Sequence, residues 1–173
     1  MLPTHPDLLH DGQLQWPGDD AVLNLVGMRL VNESAQPMEV ASHVTVRVPP
    51  VAVLVLLKMA SYLDRPHERH RDLQDLVHVL REYPPADDDR RYTEDIFDRN
   101  LDAQQAGPYV LGKEIRALNL TGEELHLVER FFDALRTDEV IAVMTREVGV
   151  FAEAADVIPL LDASRLGFDA LAS

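Results

Sequence analysis

Two patterns of apolar positions divide the chain. Through residue 48 the apolar residues come in short runs separated by turn-formers, which predicts short strands. Trp16-Pro17-Gly18-Asp19-Asp20 reads as a turn, because proline fixes φ and glycine permits the reversal. Ala21–Val26 is a short apolar run ending at Gly27. Val40, Val44, Val46 and Val48 are β-branched, with Thr45 and Arg47 between the last three, which predicts a half-buried strand ending at Pro49-Pro50.

Beyond Pro50 the period becomes helical. Val51 to Leu63 is apolar on nearly all sides, which predicts a buried helix broken at Pro66. Glu68 to Tyr83 reads as amphipathic, with Leu73, Leu76, Val77 and Leu80 on one face. Pro84-Pro85 and Asp87-Asp88-Asp89 form an exposed connector. Further helices are expected over Tyr92–Leu101, with Ile96 and Phe97 inward, over Pro108–Leu118, and after the capping-box spacing Thr121-x-x-Glu124. Asp138–Val150 and Leu160–Leu171 carry weaker helical signals. The fold class is α+β, a small strand region followed by a mainly helical one. The division falls at residues 1–83 and 84–173.

Composition narrows the function classes. With 46% apolar residues in 173, one domain with a sizeable core is expected. The formal charge of −14 argues against an unaided grip on a nucleic-acid backbone, while leaving RNA open as a substrate reached through a local basic patch. There is no cysteine, which removes disulfides and thiolate metal sites. The N-terminus carries no signal-peptide pattern, and the longest apolar run is too short for a bilayer. A soluble, cytoplasmic protein without membrane contact is expected.

The candidate chemistry lies at the helix junction LLKMASYLDRPHERHRDLQDL. Lys58, set among apolar residues, must reach the surface or find an anion, because an unpaired buried ammonium is expensive. Position alone favours snorkelling or a structural pair. Asp72 and Asp75 share a face of the next helix, away from its leucines, where the helix N-terminus favours negative charge. Alone they read as a solvated face. Lys58 and Arg65 just before them supply the cations of a polyphosphate site. His67-x-x-His70 lacks a third ligand at natural spacing and is not read as a metal site. Arg65, His67, Arg69, His70 and Arg71 form a basic spot, which either touches phosphates or RNA or neutralises nearby acids, the second being favoured. No dinucleotide-binding glycine motif, Walker loop or nucleophile elbow is present.

Lys58-Met59-Ala60-Ser61, Arg65, and Asp72-Leu73-Gln74-Asp75 with Leu76 and Leu80 resemble the Lys-x-x-Ala helix, arginine and Asp-x-x-Asp helix of the AbiEii/AbiGii toxin family. That family belongs to the DNA polymerase β-like nucleotidyltransferases. Trp16–Asp19, Leu23–Gly27 and Tyr109–Leu118 extend the likeness to about two thirds of the chain. The resemblance implies a partial nucleotidyltransferase-type sheet and a toxin–antitoxin protein of bacterial type. Such a protein transfers a nucleoside monophosphate to an RNA, such as tRNA, or to a protein acceptor. It also implies a nucleoside triphosphate substrate, Mg²⁺ where the whole active site exists, and a cognate antitoxin partner. Lys58, Asp72 and Asp75 are the implied catalytic residues, with Arg65 and Arg71 binding substrate and Arg65 pairing with one of the two aspartates. The family's Gly-Ser loop is missing, and the only Asp-x-Asp lies in the connector Asp87–Asp89. An incomplete or degenerate transferase is therefore expected. The alternative is a non-catalytic interaction module whose helices from Thr121 to Met144 offer an apolar groove to an antitoxin or a second copy.

Overall fold

The computed structural model describes residues 9–10, 13–15, 22–148 and 154–170, with side chains over 25–146 and 156–170. The expected turn at Trp16–Asp20 lies outside these residues. The fold is α+β: short strands come first, and helices make up nearly all of the rest. β1 (Leu9–His10), β2 (Gln13–Gln15) and β3 (Val22–Asn24) form an antiparallel sheet in that order. Gly27, at φ 84°, turns the chain into the short helix α1 (Met28–Ser34).

The valine-rich segment forms a hairpin, where a single strand was expected. β4 (Gln36–Ala41) and β5 (Val44–Val48) pair antiparallel, with a register shift between Glu39 and Ala41 and His43 at positive φ in the turn. Nor is it half-buried: Met38, Val40, Val44 and Val46 are 54%, 56%, 49% and 40% exposed. Alternation identified a two-faced strand but carries no information on whether another layer covers the apolar face.

Two helices then cross at the proline break. α2 (Val51–Asp64) starts directly after Pro50 and buries Ala52, Val53, Val55, Leu56, Met59, Ala60 and Tyr62, while Leu54 faces solvent. α3 (His70–Glu82) buries Leu73, Leu76, Val77 and Leu80, the expected stripe, and adds Asp72 to it. The connector forms a 3₁₀ turn at Asp89–Tyr92, capped by the Asp88 carboxylate, and α4 (Glu94–Asp98) follows. The single helix expected over Tyr92–Leu101 is thus shorter and interrupted. Ile96 points inward, but Phe97 is 61% exposed.

α5 (Ala103–Ala117) begins five residues before the expected Pro108, which sits inside it. Asp102 makes a capping box with Gln105 and satisfies the first donors, so the helix is already formed when the chain reaches Gly107-Pro108. α6 (Gly122–Ala134) has the expected Thr121–Glu124 box. Glu124 is buried, and its Oε2 accepts from Arg29 of α1 at 2.9 Å, tying the first helix to the sixth. α7 (Asp138–Val148) and α8 (Ala154–Asp169) complete the fold.

The main core takes residues from α1, α2, α3, α5, α6, α7 and α8, so the two regions divided at residue 83 share one hydrophobic interior. Helices α5 and α8 pack backbone against backbone. A Cβ on Gly112 would overlap the Ser164 carbonyl oxygen, and one on Gly167 the Tyr109 carbonyl oxygen. No helix among the described residues is long and apolar enough to cross a membrane.

Candidate functional site

The α2–α3 crossing brings together three of the expected site residues. Lys58 is the polar interruption of α2, and the junction Arg65–Arg69 folds α3 back so that its first turn faces that lysine. Lys58 Nζ donates to Asp72 Oδ1 at 2.9 Å and to Asp75 Oδ2 at 2.5 Å. The three side chains differ in exposure: 39% for Lys58, 9% for Asp72 and 57% for Asp75. One end of the clasp is therefore inside the protein and the other is in solvent.

Asp72 departs from the solvated face expected of it. It belongs to the first turn of α3, where the helix macrodipole favours its charge, yet the crossing covers it with α2. Its Oδ2 is buried without a hydrogen-bond partner. A buried carboxylate oxygen without a donor is costly, and such groups concentrate at sites kept for reasons other than stability.

Lys58 is held above its ordinary pKa, first by the hydrogen bond it donates to Asp75 and then by the one it donates to Asp72, against the opposing effect of its own burial. It stays an ammonium through neutral pH, so it supplies a fixed positive charge and neither a nucleophile nor a base. The clasp as a whole carries one net negative charge, two carboxylates against one ammonium. A metal ion bridging Asp72 and Asp75 would have to stand where Nζ now stands. The pair does not fit Mg²⁺, which demands open oxygen ligands in octahedral array. No group of three or more metal-ligating side chains occurs among the described residues.

Arg65 does not join the clasp. Its guanidinium lies 3.5 Å from Asp64 and 3.7 Å from Glu68, which are nearer along the chain than either helix aspartate. Arg71 is exposed and, like Arg69, makes no ion pair or side-chain hydrogen bond with the described residues. Among the described residues the basic spot thus neutralises acids through Arg65 alone. His67 and His70 line a cavity of about 300 Å³ with Tyr62, Pro66, Leu73 and Glu139.

Sequence reasoning missed a second polar cluster. Tyr109 is fully buried, and its hydroxyl donates to Asp95 Oδ2 at 2.6 Å. Lys113 donates to the same oxygen at 2.8 Å, and Arg99 to Oδ1 at 2.9 Å. These contacts hold Asp95 well below the usual carboxylate range, Lys113 contributing most and Tyr109 next. The Tyr109 hydroxyl is pushed up to about 12, by burial and then by the bond to Asp95. Tyr109 and Lys113 at i, i+4 on α5 were the available signal. Asp95 comes from another helix, and that pairing is tertiary. The cluster fixes α4 to α5 and is read as a brace.

No family model, curated protein or solved structure matches the chain.

Proposed function

We propose that the chain is a nucleotidyltransferase-like protein of toxin–antitoxin type, incomplete or degenerate as a transferase, whose α2–α3 clasp engages the phosphates of a nucleoside triphosphate. The proposal rests on the likeness of the Lys-x-x-Ala and Asp-x-x-Asp helices to the AbiEii/AbiGii family. The single observation that carries it is the clasp itself, a charged lysine shared between a buried and an exposed carboxylate. Asp75 is the mobile member: it is more than half exposed, so an incoming phosphate displaces it from Lys58 at small cost. Asp72 stays and keeps the ammonium aimed. Arg71 and Arg69, exposed and unpaired with described residues, supply further charge to an anion at the helix junction.

Binding and orientation are within reach of these residues. Transfer in the family's manner needs a Gly-Ser loop and a metal-holding Asp-x-Asp strand, and the chain's residues include no Gly-Ser pair. In complete form such a protein places a nucleoside monophosphate on an RNA or protein acceptor, in the cytoplasm and under control of a cognate antitoxin. The interaction-module reading, with an apolar groove over Thr121 to Met144, has less to support it. The apolar stripe from Leu127 to Met144 is spent on the core, leaving between α6, α7 and α8 a pocket of about 280 Å³.

Thermal denaturation with and without ATP, in the presence and absence of Mg²⁺, tests the proposal. A rise in melting temperature that Asp75→Asn preserves and Lys58→Met abolishes is expected. Equal shifts for wild type and Lys58→Met would refute the assignment.

A further inference from the structure

The β4–β5 hairpin carries an exposed apolar face. Directly paired residues and residues two apart share a face, so Met38, Val44, Val46 and Val48 lie on one side and Pro37, Glu39, Thr45 and Arg47 on the other. Both sides are exposed along most of the hairpin, and the polar side ties its base to the protein through Arg47. Arg47 donates to the Ala35 carbonyl at 2.7 Å through Nη2 and at 3.2 Å through Nε, and reaches the Asn32 carbonyl at 3.3 Å. These bonds cap the end of α1 and hold the base of the hairpin against it. Every residue from Gln36 to Arg47 is exposed. Two strands alone, uncovered on the apolar side, are marginal in water; added strands are the usual remedy.

We infer that the outer edge of β5 pairs antiparallel with β5 of a second copy of this chain, making a four-stranded sheet about a two-fold axis at Val46. Three observations select this occupant and this edge. Pro37 lacks a backbone donor, and a proline in a strand is tolerated where that missing group faces away from the ladder, so β4 presents a blunted outer edge. β5, Val44-Thr45-Val46-Arg47-Val48, has no such block and consists largely of strand-forming residues. The hairpin is also a neutral island in a chain of net charge −14: its charges are Glu39 and Arg47, one of each sign. Two acidic copies approach most easily there.

The register follows from the side chains. Centring on Val46 sets Val44 opposite Val48 of the partner subunit and Thr45 opposite Arg47 of the partner subunit. No like charges are opposed, and both apolar faces join into one. Centring on Arg47 instead sets two guanidinium groups against each other, which is unfavourable. Because Pro37 cannot donate to Arg47, the outward backbone groups of β5 are those of Thr45 and Arg47. In the Val46-centred register these are the residues that meet.

The chain contains no cysteine, so one introduced thiol reports the interface cleanly. Two copies of Val46 across the axis would form a non-hydrogen-bonded pair with Cα atoms about 4.5 Å apart. That lies within the disulfide window of roughly 4.4–6.8 Å. Under mild oxidation Val46→Cys is expected to give a covalent dimer, and Ser42→Cys at the hairpin turn is expected not to. Light scattering should give twice the chain mass for wild type and the monomer mass for Val46→Lys, with unchanged helical circular dichroism. Added salt should strengthen the dimer by screening the acidic surfaces. A wild type that stays monomeric overturns the inference, whether the β5 edge is left unpaired or is taken by a different protein. So does a dimer that Val46→Lys leaves intact.

Discussion

Replacing Lys58 by methionine removes the ammonium of the clasp and keeps most of its buried stem. Asp72 is then left with neither oxygen bonded to a side-chain donor, inside a crossing that admits little water. Breaking a fully buried pair from one side costs about 3–5 kcal/mol, and breaking an exposed pair costs about 0–1. Lys58 is 39% exposed and Asp72 9%, so the expected loss falls between these limits, about 2 kcal/mol. That corresponds to a fall in melting temperature of roughly 4–8 °C for a chain of this size. Asp72→Asn in the same background removes the stranded charge, and the double variant should recover all but about 1 kcal/mol. Asp75 makes the shorter bond and contributes most to raising the Lys58 pKa, yet its carboxylate is mostly in water. Stability follows burial, so its coupling to Lys58 should stay below about 0.5 kcal/mol. Urea denaturation followed by circular dichroism measures each corner of the two cycles. A cost below about 0.5 kcal/mol for Lys58→Met, or a stronger coupling to Asp75 than to Asp72, would refute the division of the clasp into an anchored and a mobile carboxylate.

Three further outcomes are expected. Gly112→Leu should cost about 3 kcal/mol in urea denaturation, because its Cβ overlaps the Ser164 backbone and α8 must move, whereas Gly122→Ala, with nothing within 4 Å, should be neutral or slightly stabilising. Because the Asp95 carboxyl titrates lower folded than unfolded, its stabilisation is present above about pH 4 and is lost as pH falls through the folded value; Asp95→Asn should flatten the acid limb of the stability–pH profile. Tyr109 has the opposite sign, with stabilisation present below the ordinary tyrosine value of about 10 and lost as pH rises through about 12; ultraviolet titration of wild type should therefore show a late tyrosine step that Tyr109→Phe removes.

Much of this architecture is legible along the sequence because its signals are local. The stripe Leu73, Leu76, Val77, Leu80 and the box Thr121–Glu124 depend on helical period and backbone donors, and both occur as read. Helix α5 is longer than its pattern predicts, because Gly107-Pro108 carries a strong turn signal that the capping box at Asp102 and Gln105 overrides. The valines of β4 and β5 show the converse failure. Alternation reports an apolar face but not what covers it, and here that face is bare. Within the candidate site, sequence spacing placed Asp72 and Asp75 on one helix face, and the proline break placed Lys58 opposite them. It could not tell which aspartate is buried, because that depends on how closely α2 crosses the first turn of α3. Arg65 was assigned to the wrong partners for a related reason: Asp64 and Glu68 lie within three residues and capture it first.

The most direct test of the proposed function is calorimetric titration of ATP into the wild-type chain and into Lys58→Met/Asp72→Asn, the variant that loses the clasp without stranding a buried charge at position 72. Saturable binding to wild type, lost in the double variant at unchanged helical content, is the expected result. Absence of binding to wild type, or equal affinity in the two proteins, would contradict the assignment of the clasp to a nucleotide's phosphates.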